Sequence, residues 1–285
     1  MLLIAHFYNE EYLLPFWLNH HKEIFEHGVL IDSHSTDNSV EIINKTVPTW
    51  KVIKSPVKKF NSEIMEKLIM DIESEYENEI KIVLNISEFL IINKKDKFKQ
   101  LLGKDRFSYW IQAAMMVDKD PISSNITNLL EEKYYGFWHT DLNVYKIRNR
   151  YPFANSGYRE RLIHNYSNGQ YLPGRHKTLI ENSKRMSKNI AYIRWYNYSP
   201  WNNNFIDRKL SFAKTLSEND IQKNYGKQHL SKLEEMEKLY RYYKKISYNI
   251  NQIRFKSMLL AVYHLKIFPF SFFFKKKFKN LKKLI

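Results

Sequence analysis

Leu2-Leu3-Ile4-Ala5-His6-Phe7-Tyr8-Asn9-Glu10-Glu11 and Gly28-Val29-Leu30-Ile31-Asp32-Ser33-His34-Ser35-Thr36-Asp37-Asn38-Ser39 are the two passages whose reading decides the fold. Each is a short apolar run that ends in acids, amides and hydroxyls. Between them Pro15 suits the first turn of a helix, where its missing N–H is no loss, and Phe16, Trp17, Ile24 and Phe25 offer apolar surface to a sheet. Glu10 and Glu11 sit where a helix N-terminus tolerates negative charge. Gly28 is expected to end that helix in a left-handed turn. Strand, helix and strand, with polar residues gathered where the strands stop, open a parallel α/β sheet. Such sheets bind ligands just past the carboxyl ends of their strands.

The alternation continues. Thr36 or Asp37 can cap a helix through about Lys45, with Val40, Ile42 and Ile43 inward. Trp50-Lys51-Val52-Ile53 reads as a third strand and Ile80-Lys81-Ile82-Val83-Leu84 as a buried fourth. From Ser62 to Tyr76, Ile64, Leu68, Ile69 and Ile72 fall at helical spacing. The expected class is α/β: a mostly parallel, mixed, Rossmann-like sheet flanked by helices. In the second half, Arg106 to Gln112 and Tyr145 to Arg148 are candidate strands, and Asp118 to Leu130 a loop into a short helix. Phe205 to Leu216, then Ile221 to about Lys245, read as helices.

Composition excludes several classes. With no cysteine among 285 residues, disulfides and thiolate metal sites are out, and the reducing cytosol is the compatible compartment. No apolar run is long enough to span a bilayer, and the first residues do not resemble a signal peptide. The net charge of +16 is uneven: 12 of the 46 basic residues and no acidic one lie between Arg241 and Ile285, leaving 34 against 30 in residues 1–240. A nucleic-acid-binding domain would spread its basic residues over a working face, so no nucleic-acid partner is expected. The expected organisation is one domain over 1–240, with a nucleotide-binding half of about 1–100 and an acceptor half of about 101–240. A basic, aromatic, helical extension follows over 241–285. Its Phe and Lys residues from 252 to 285 suit peripheral contact with an anionic membrane, or a helix packed on the domain.

Asn-Glu-Glu after the first strand, and Asp-Ser-x-Ser-Thr-Asp-Asn-Ser after the second, resemble the opening of a family 2 glycosyltransferase of the GT-A fold. The likeness extends over roughly residues 1–230. That family places Asp-x-Asp at the end of the fourth strand; here the frame reads Asn85-Ile86-Ser87-Glu88-Phe89-Leu90, with both aspartates replaced. The paired carboxylates would hold Mg²⁺ or Mn²⁺ against a nucleotide diphosphate. Three consequences stay open: catalysis without a metal, a weak metal site through Ser87 and Glu88, or a catalytically weakened relative. Glu88 by itself could equally be a helix-start or surface carboxylate.

The resemblance implies roles for named residues. His6, Tyr8 and Asn9 would line the base pocket, Glu10 would lie near the ribose, and Asp32 would accept from the base or ribose. Asn85 and Ser87 would face the diphosphate. Arg159-Glu160-Arg161 and Gly174-Arg175-His176-Lys177 resemble the basic segment near the leaving group, where Arg175, His176 and Lys177 would stabilise developing negative charge. Inverting transfer needs a carboxylate base; Asp118 and then Asp141 are the candidates. Arg194 to Trp201, with Arg208-Lys209 and Tyr225 to His229, resembles a segment that closes over the site. The implied function is transfer of a sugar from a UDP- or GDP-linked donor to a glycan or lipid-linked glycan. The alternative is a non-catalytic sugar-nucleotide or glycan-binding relative.

Overall fold

The computed structural model describes residues 1–119, 126–138 and 159–251, Lys227 and Gln228 by their backbone alone. Asp141, the strand expected at Tyr145 to Arg148 and the tail from 252 onward lie outside the described residues.

Strand β1 (Leu2–Phe7) runs parallel between β2 (His27–Asp32) and β4 (Lys81–Val83), and β3 (Lys51–Lys54) pairs outside β2. Alternation along β1 feeds two cores. Leu3, Ala5 and Phe7 join Leu14, Trp17 and Leu18 of α1 (Leu14–His21) and Ile43 of α2 (Ser39–Thr46). Leu2 and Ile4 join Met65, Ile69 and Ile72 of α3 (Ser62–Glu75). A parallel sheet needs both faces covered, and this pattern supplies the cover. The expected mostly parallel mixed sheet flanked by helices is what the chain forms.

Beyond β4 the sheet becomes mixed. β8 (Glu160–His164) lies antiparallel between β4 and β6 (Ser108–Val117). β6 serves two sheets: Ser108–Gln112 pairs with β8, and further along it pairs with β10 (Ala191–Tyr198) and β7 (Tyr135–Trp138). β5 (Glu88–Ile92) lies antiparallel to β10, β9 (Lys184–Arg185) pairs with β6, and β11 (Tyr248–Asn249) pairs with β7. Helices α4 (Lys95–Leu102), α5 (Leu129–Glu132), α6 (Asn203–Ala213), α7 (Glu218–Gln222) and α8 (Leu233–Ile246) complete the described elements. Among these, no helix is long and apolar enough to cross a membrane.

Three expectations change. Gly28 lies within β2, not at a helix end; a Cβ there would meet the Trp50 ring at 2.6 Å, so close packing explains the glycine. The single helix read from Ile221 to Lys245 is broken, because Gly226 adopts a left-handed φ of 69° before a 3-10 turn over Lys227–Leu230. The boundary expected at 240 falls inside α8, whose Leu239, Tyr240, Tyr243 and Ile246 belong to the larger core.

Candidate active site

The strand order β3-β2-β1-β4 reverses direction between β1 and β4. At such a point the loops after neighbouring strands part and leave a crevice. His6 and Tyr8 stand at the end of β1, and Asn85 and Ser87 follow β4 on the other side.

The turns after β1 and β2 are stapled to each other. Asn9, at a left-handed φ of 49° that asparagine tolerates, accepts through Oδ1 from the Thr36 N–H at 2.8 Å and donates its own N–H to Ser35 Oγ at 3.1 Å. Asp32 Oδ1 accepts from the Ser35 N–H at 2.8 Å, the Asx turn expected of an aspartate at a strand end. Glu10 accepts from the Arg208 guanidinium, NH2 donating to Oε1 at 2.6 Å. Asn9 and Glu10 therefore hold protein segments together, and Asp32 commits one oxygen to its own turn.

After β4 the chain turns tightly, the Glu88 N–H donating to the Asn85 carbonyl at 2.8 Å. Glu88 then enters β5 fully buried. Arg159 Nε donates to its Oε1 at 2.7 Å, Arg161 Nε to its Oε2 at 2.8 Å, and the Asn85 N–H also to Oε2 at 2.8 Å. Burial by itself would raise the Glu88 carboxyl; Arg159 and Arg161 outweigh it and hold the group well below the usual carboxylate range. Arg175 completes the group, donating from NH1 to Glu66 Oε2 at 2.8 Å and from NH2 to Asn85 Oδ1 at 3.2 Å. Arg159 also lies 4.4 Å from the Trp195 ring centroid and contacts His176 Nε2 at 3.3 Å. His176 is exposed at the rim, though protein partly encloses it. That enclosure, then Arg159 and Arg161, lowers its pKa. Lys177 is exposed.

Four buried polar atoms around this crevice have no partner among the described residues: His6 Nδ1, Ser33 Oγ, Arg175 Nε and Asn197 Nδ2. Buried polar groups are nearly always paired, so a cluster of orphans marks where a polar ligand belongs.

Above the crevice lies α6. Arg208 reaches Glu10, Asn202 donates to the Tyr12 hydroxyl at 2.7 Å, and Lys209 Nζ donates to Asn197 Oδ1 at 2.6 Å. Lys209 also lies over the Tyr198 ring at 4.5 Å. Burial, then Arg208 and Arg159, push its ammonium well below the ordinary lysine range. His229 falls to about 3, through burial first and then Lys209, Arg159 and Arg208. The far end of this cover is pinned by Asp220, which accepts from the Ser62 N–H at 2.9 Å.

The residues do not fit the divalent cation that the family resemblance implies. Both Glu88 oxygens are occupied, Asn85 Oδ1 faces a guanidinium, and no group of three metal-ligating side chains occurs among the described residues.

Asp118 is buried at the end of β6. Ser199 Oγ donates to its Oδ1 at 2.6 Å, and the Trp201 N–H and Lys133 Nζ donate to its Oδ2 at 2.8 and 3.2 Å. It ties the root of the cover to β6 and lies outside the Glu88 cluster.

Arg159, Arg161, Arg208, Lys209 and His229 were not among the expected site residues, although all lay in segments singled out in the sequence. Alternation was the available signal for the first pair: Arg159 and Arg161 point to Glu88, while Glu160 between them accepts from Arg185 at 2.8 Å.

No family model matches the sequence, and no curated protein is significantly similar to it. Among solved structures, S. aureus TarS residues 1–349 is similar at 13% identity over 93% of this chain and 78% of that one, with a TM-score of 0.40. The same fragment in complex with UDP gives 14% over 84% and 77%, TM-score 0.39. Glucosyl-3-phosphoglycerate synthase from Mycobacterium tuberculosis, in complex with Mn²⁺, UDP and glucosyl-3-phosphoglycerate, gives 11% over 57% and 56%, TM-score 0.31. The fold rests on the strand order of this chain, not on likenesses of that size.

Proposed function

We propose that the protein is a GT-A-type glycosyltransferase that moves a sugar, with inversion, from a UDP- or GDP-linked donor to a hydroxyl of a glycan or lipid-linked glycan. The observation that supports this most is the set of orphaned atoms, His6 Nδ1, Ser33 Oγ and Arg175 Nε, beside a guanidinium cluster at the switch point of the sheet. A ligand with a polar nucleoside at one end and an anion at the other satisfies both. The Asn-Glu-Glu and Asp-Ser-x-Ser-Thr-Asp-Asn-Ser turns support the same reading.

In the reaction the acceptor oxygen forms a bond to the anomeric carbon and its proton passes to a carboxylate. The bond from that carbon to the phosphate oxygen breaks, its electron pair leaving with the nucleoside diphosphate. Fixed guanidinium donors stabilise that charge. Among the described carboxylates we assign the base to Asp118, which requires Ser199 or Lys133 to release one of its oxygens; Asp141, outside the described residues, is the second candidate on sequence alone. The cytosol, and peripheral membrane contact through 252–285, belong to the same proposal, on the absence of cysteine and the basic, aromatic make-up of that segment.

A panel of nucleotide sugars, assayed for release of UDP or GDP with and without glycan acceptors, tests this. Release from at least one donor is the expected result. Donor binding with no release across the panel overturns the transferase and leaves the non-catalytic sugar-nucleotide-binding relative, which the replacement of two aspartates by Asn85 and Ser87 favours.

A further inference from the structure

The fourth-strand turn keeps the frame of a metal site and reverses its charge. Where two carboxylates would hold a dication, Asn85 and Ser87 are neutral, and the one remaining carboxylate, Glu88, is fully buried beneath two guanidinium groups. Arg175 crosses to Asn85 from a separate loop, held by Glu66. Three guanidinium charges against the two carboxylates leave one positive charge. They also leave N–H donors to spare, because each guanidinium carries five and those paired here use only some. Arg175 Nε is buried with no acceptor at all.

We propose that Arg159, Arg161 and Arg175 form a permanent cationic cradle that takes the donor's diphosphate in place of a divalent metal, with Glu88 as the positioning residue that fixes two of them. This rests on the nucleotide-sugar reading above and deepens it. Arginine suits such a cradle because its planar fork meets phosphate oxygens in pairs and it is charged at every physiological pH. Preorganisation comes from the second partner of each group. Arg161 NH1 donates to the Gly174 carbonyl at 3.1 Å, Arg159 lies against Trp195, and Arg175 is clamped by Glu66. His6, half-buried beside Arg175, Arg161 and Glu88, is kept neutral by the desolvation of its ring first and then by the two arginines. It can therefore offer a hydrogen bond without adding charge.

The test uses the full chain, with inorganic pyrophosphate and UDP as probes. Binding is measured by calorimetry in EDTA and again in Mn²⁺, for the native protein, Arg159→Gln, Arg159→Lys and Asn85→Asp/Ser87→Asp. The cradle predicts equal affinity in the two media. It predicts a loss of at least about tenfold for Arg159→Gln, the order expected for a charge-assisted hydrogen bond, and a smaller loss for Arg159→Lys. It also predicts that the double variant binds more weakly in EDTA, since its new carboxylates pair with the arginines, and that Mn²⁺ does not restore it.

Binding of either probe only in Mn²⁺, or a double variant that gains affinity on adding Mn²⁺ while Arg159→Gln binds normally, overturns the cradle and leaves the transferase standing. Metal-free pyrophosphate binding that depends on Arg159, without affinity for UDP, GDP or their sugars, supports the cradle and overturns the nucleotide-sugar reading. No binding of any probe in either medium overturns both. If Arg159→Gln does not fold, Arg159→Lys and the single Asn85→Asp variant, at the partly exposed position of the turn, still decide.

Discussion

Arg208 grips both oxygens of Glu10, so α6 and the turn after β1 are joined across the crevice. Both side chains are largely buried, at 14% and 12% exposure, which takes the pair out of the class of solvated ion pairs. Burial pushes the Glu10 carboxyl up and Arg208 pulls it back. Arg208→Ala is expected to weaken donor binding and to raise hydrolysis relative to transfer, because the cover loses its tie. A double-mutant cycle with Glu10→Gln should give a coupling of about 0.5–3 kcal/mol in stability. A coupling near zero would show that the grip is incidental.

Asp118→Asn separates a base from an anchor. The amide keeps the acceptor for Trp201 but cannot take a proton from the sugar acceptor. If Asp118 is the base, kcat of the folded protein falls by about 100-fold or more, beyond the loss of Tm that comes in any case from leaving the buried Lys133 without its carboxylate. Should Tm drop while the folded fraction keeps its kcat, Asp118 only ties the cover to β6.

Lys209 gives a pH dependence with a definite sign. Its ammonium is disfavoured by burial and then by Arg208 and Arg159, and an arriving phosphate favours it. Between the free and bound pKa values, binding takes up a proton, so affinity falls as pH rises through that window. Calorimetry of UDP in buffers of differing ionisation enthalpy should show uptake by the native protein and none by Lys209→Met.

Glu88 contributes to acid stability. Its folded pKa lies well below the ordinary 4.5, burial being outweighed by Arg159 and Arg161, so its contribution is present above 4.5 and is lost as pH falls below it. Thermal melts on the acid side should steepen for the native protein and flatten for Glu88→Gln. Equal slopes would mean that the arginines do not hold the carboxylate.

Gly28→Ala should destabilise the protein by about 1–3 kcal/mol, the usual range for overpacking a core, since the added methyl meets the Trp50 ring at 2.6 Å. Gly28→Ala with Trp50→Leu should recover part of that loss in denaturant unfolding.

The parallel layer was legible because β1 and β2 are apolar on both faces and α3 carries its stripe at the right period. Ser62 to Tyr76 matches α3 to within a residue. Local signals failed where a distant residue decides: nothing near Gly28 announces Trp50, and nothing near Asp220 announces that it accepts from the Ser62 N–H at the start of α3. The same holds for the site. The neutral Asn85 and Ser87 were readable, and so was a need for basic residues. That Arg159 and Arg161 converge on Glu88 depends on β8 lying between β4 and β6, a pairing that no short window of sequence contains.

β6 is common to both sheets, and neither sheet can lose it alone. Freeing Ser108–Gln112 strips β8 of a partner, and freeing the stretch beyond it strips β10 and β7. The arginines ride on the β8 side and the root of the cover on the β10 side. Their amides should therefore exchange with solvent in one slow class, as a single cooperative unit. Selection on the strand for foldability is then selection on both walls of the crevice at once.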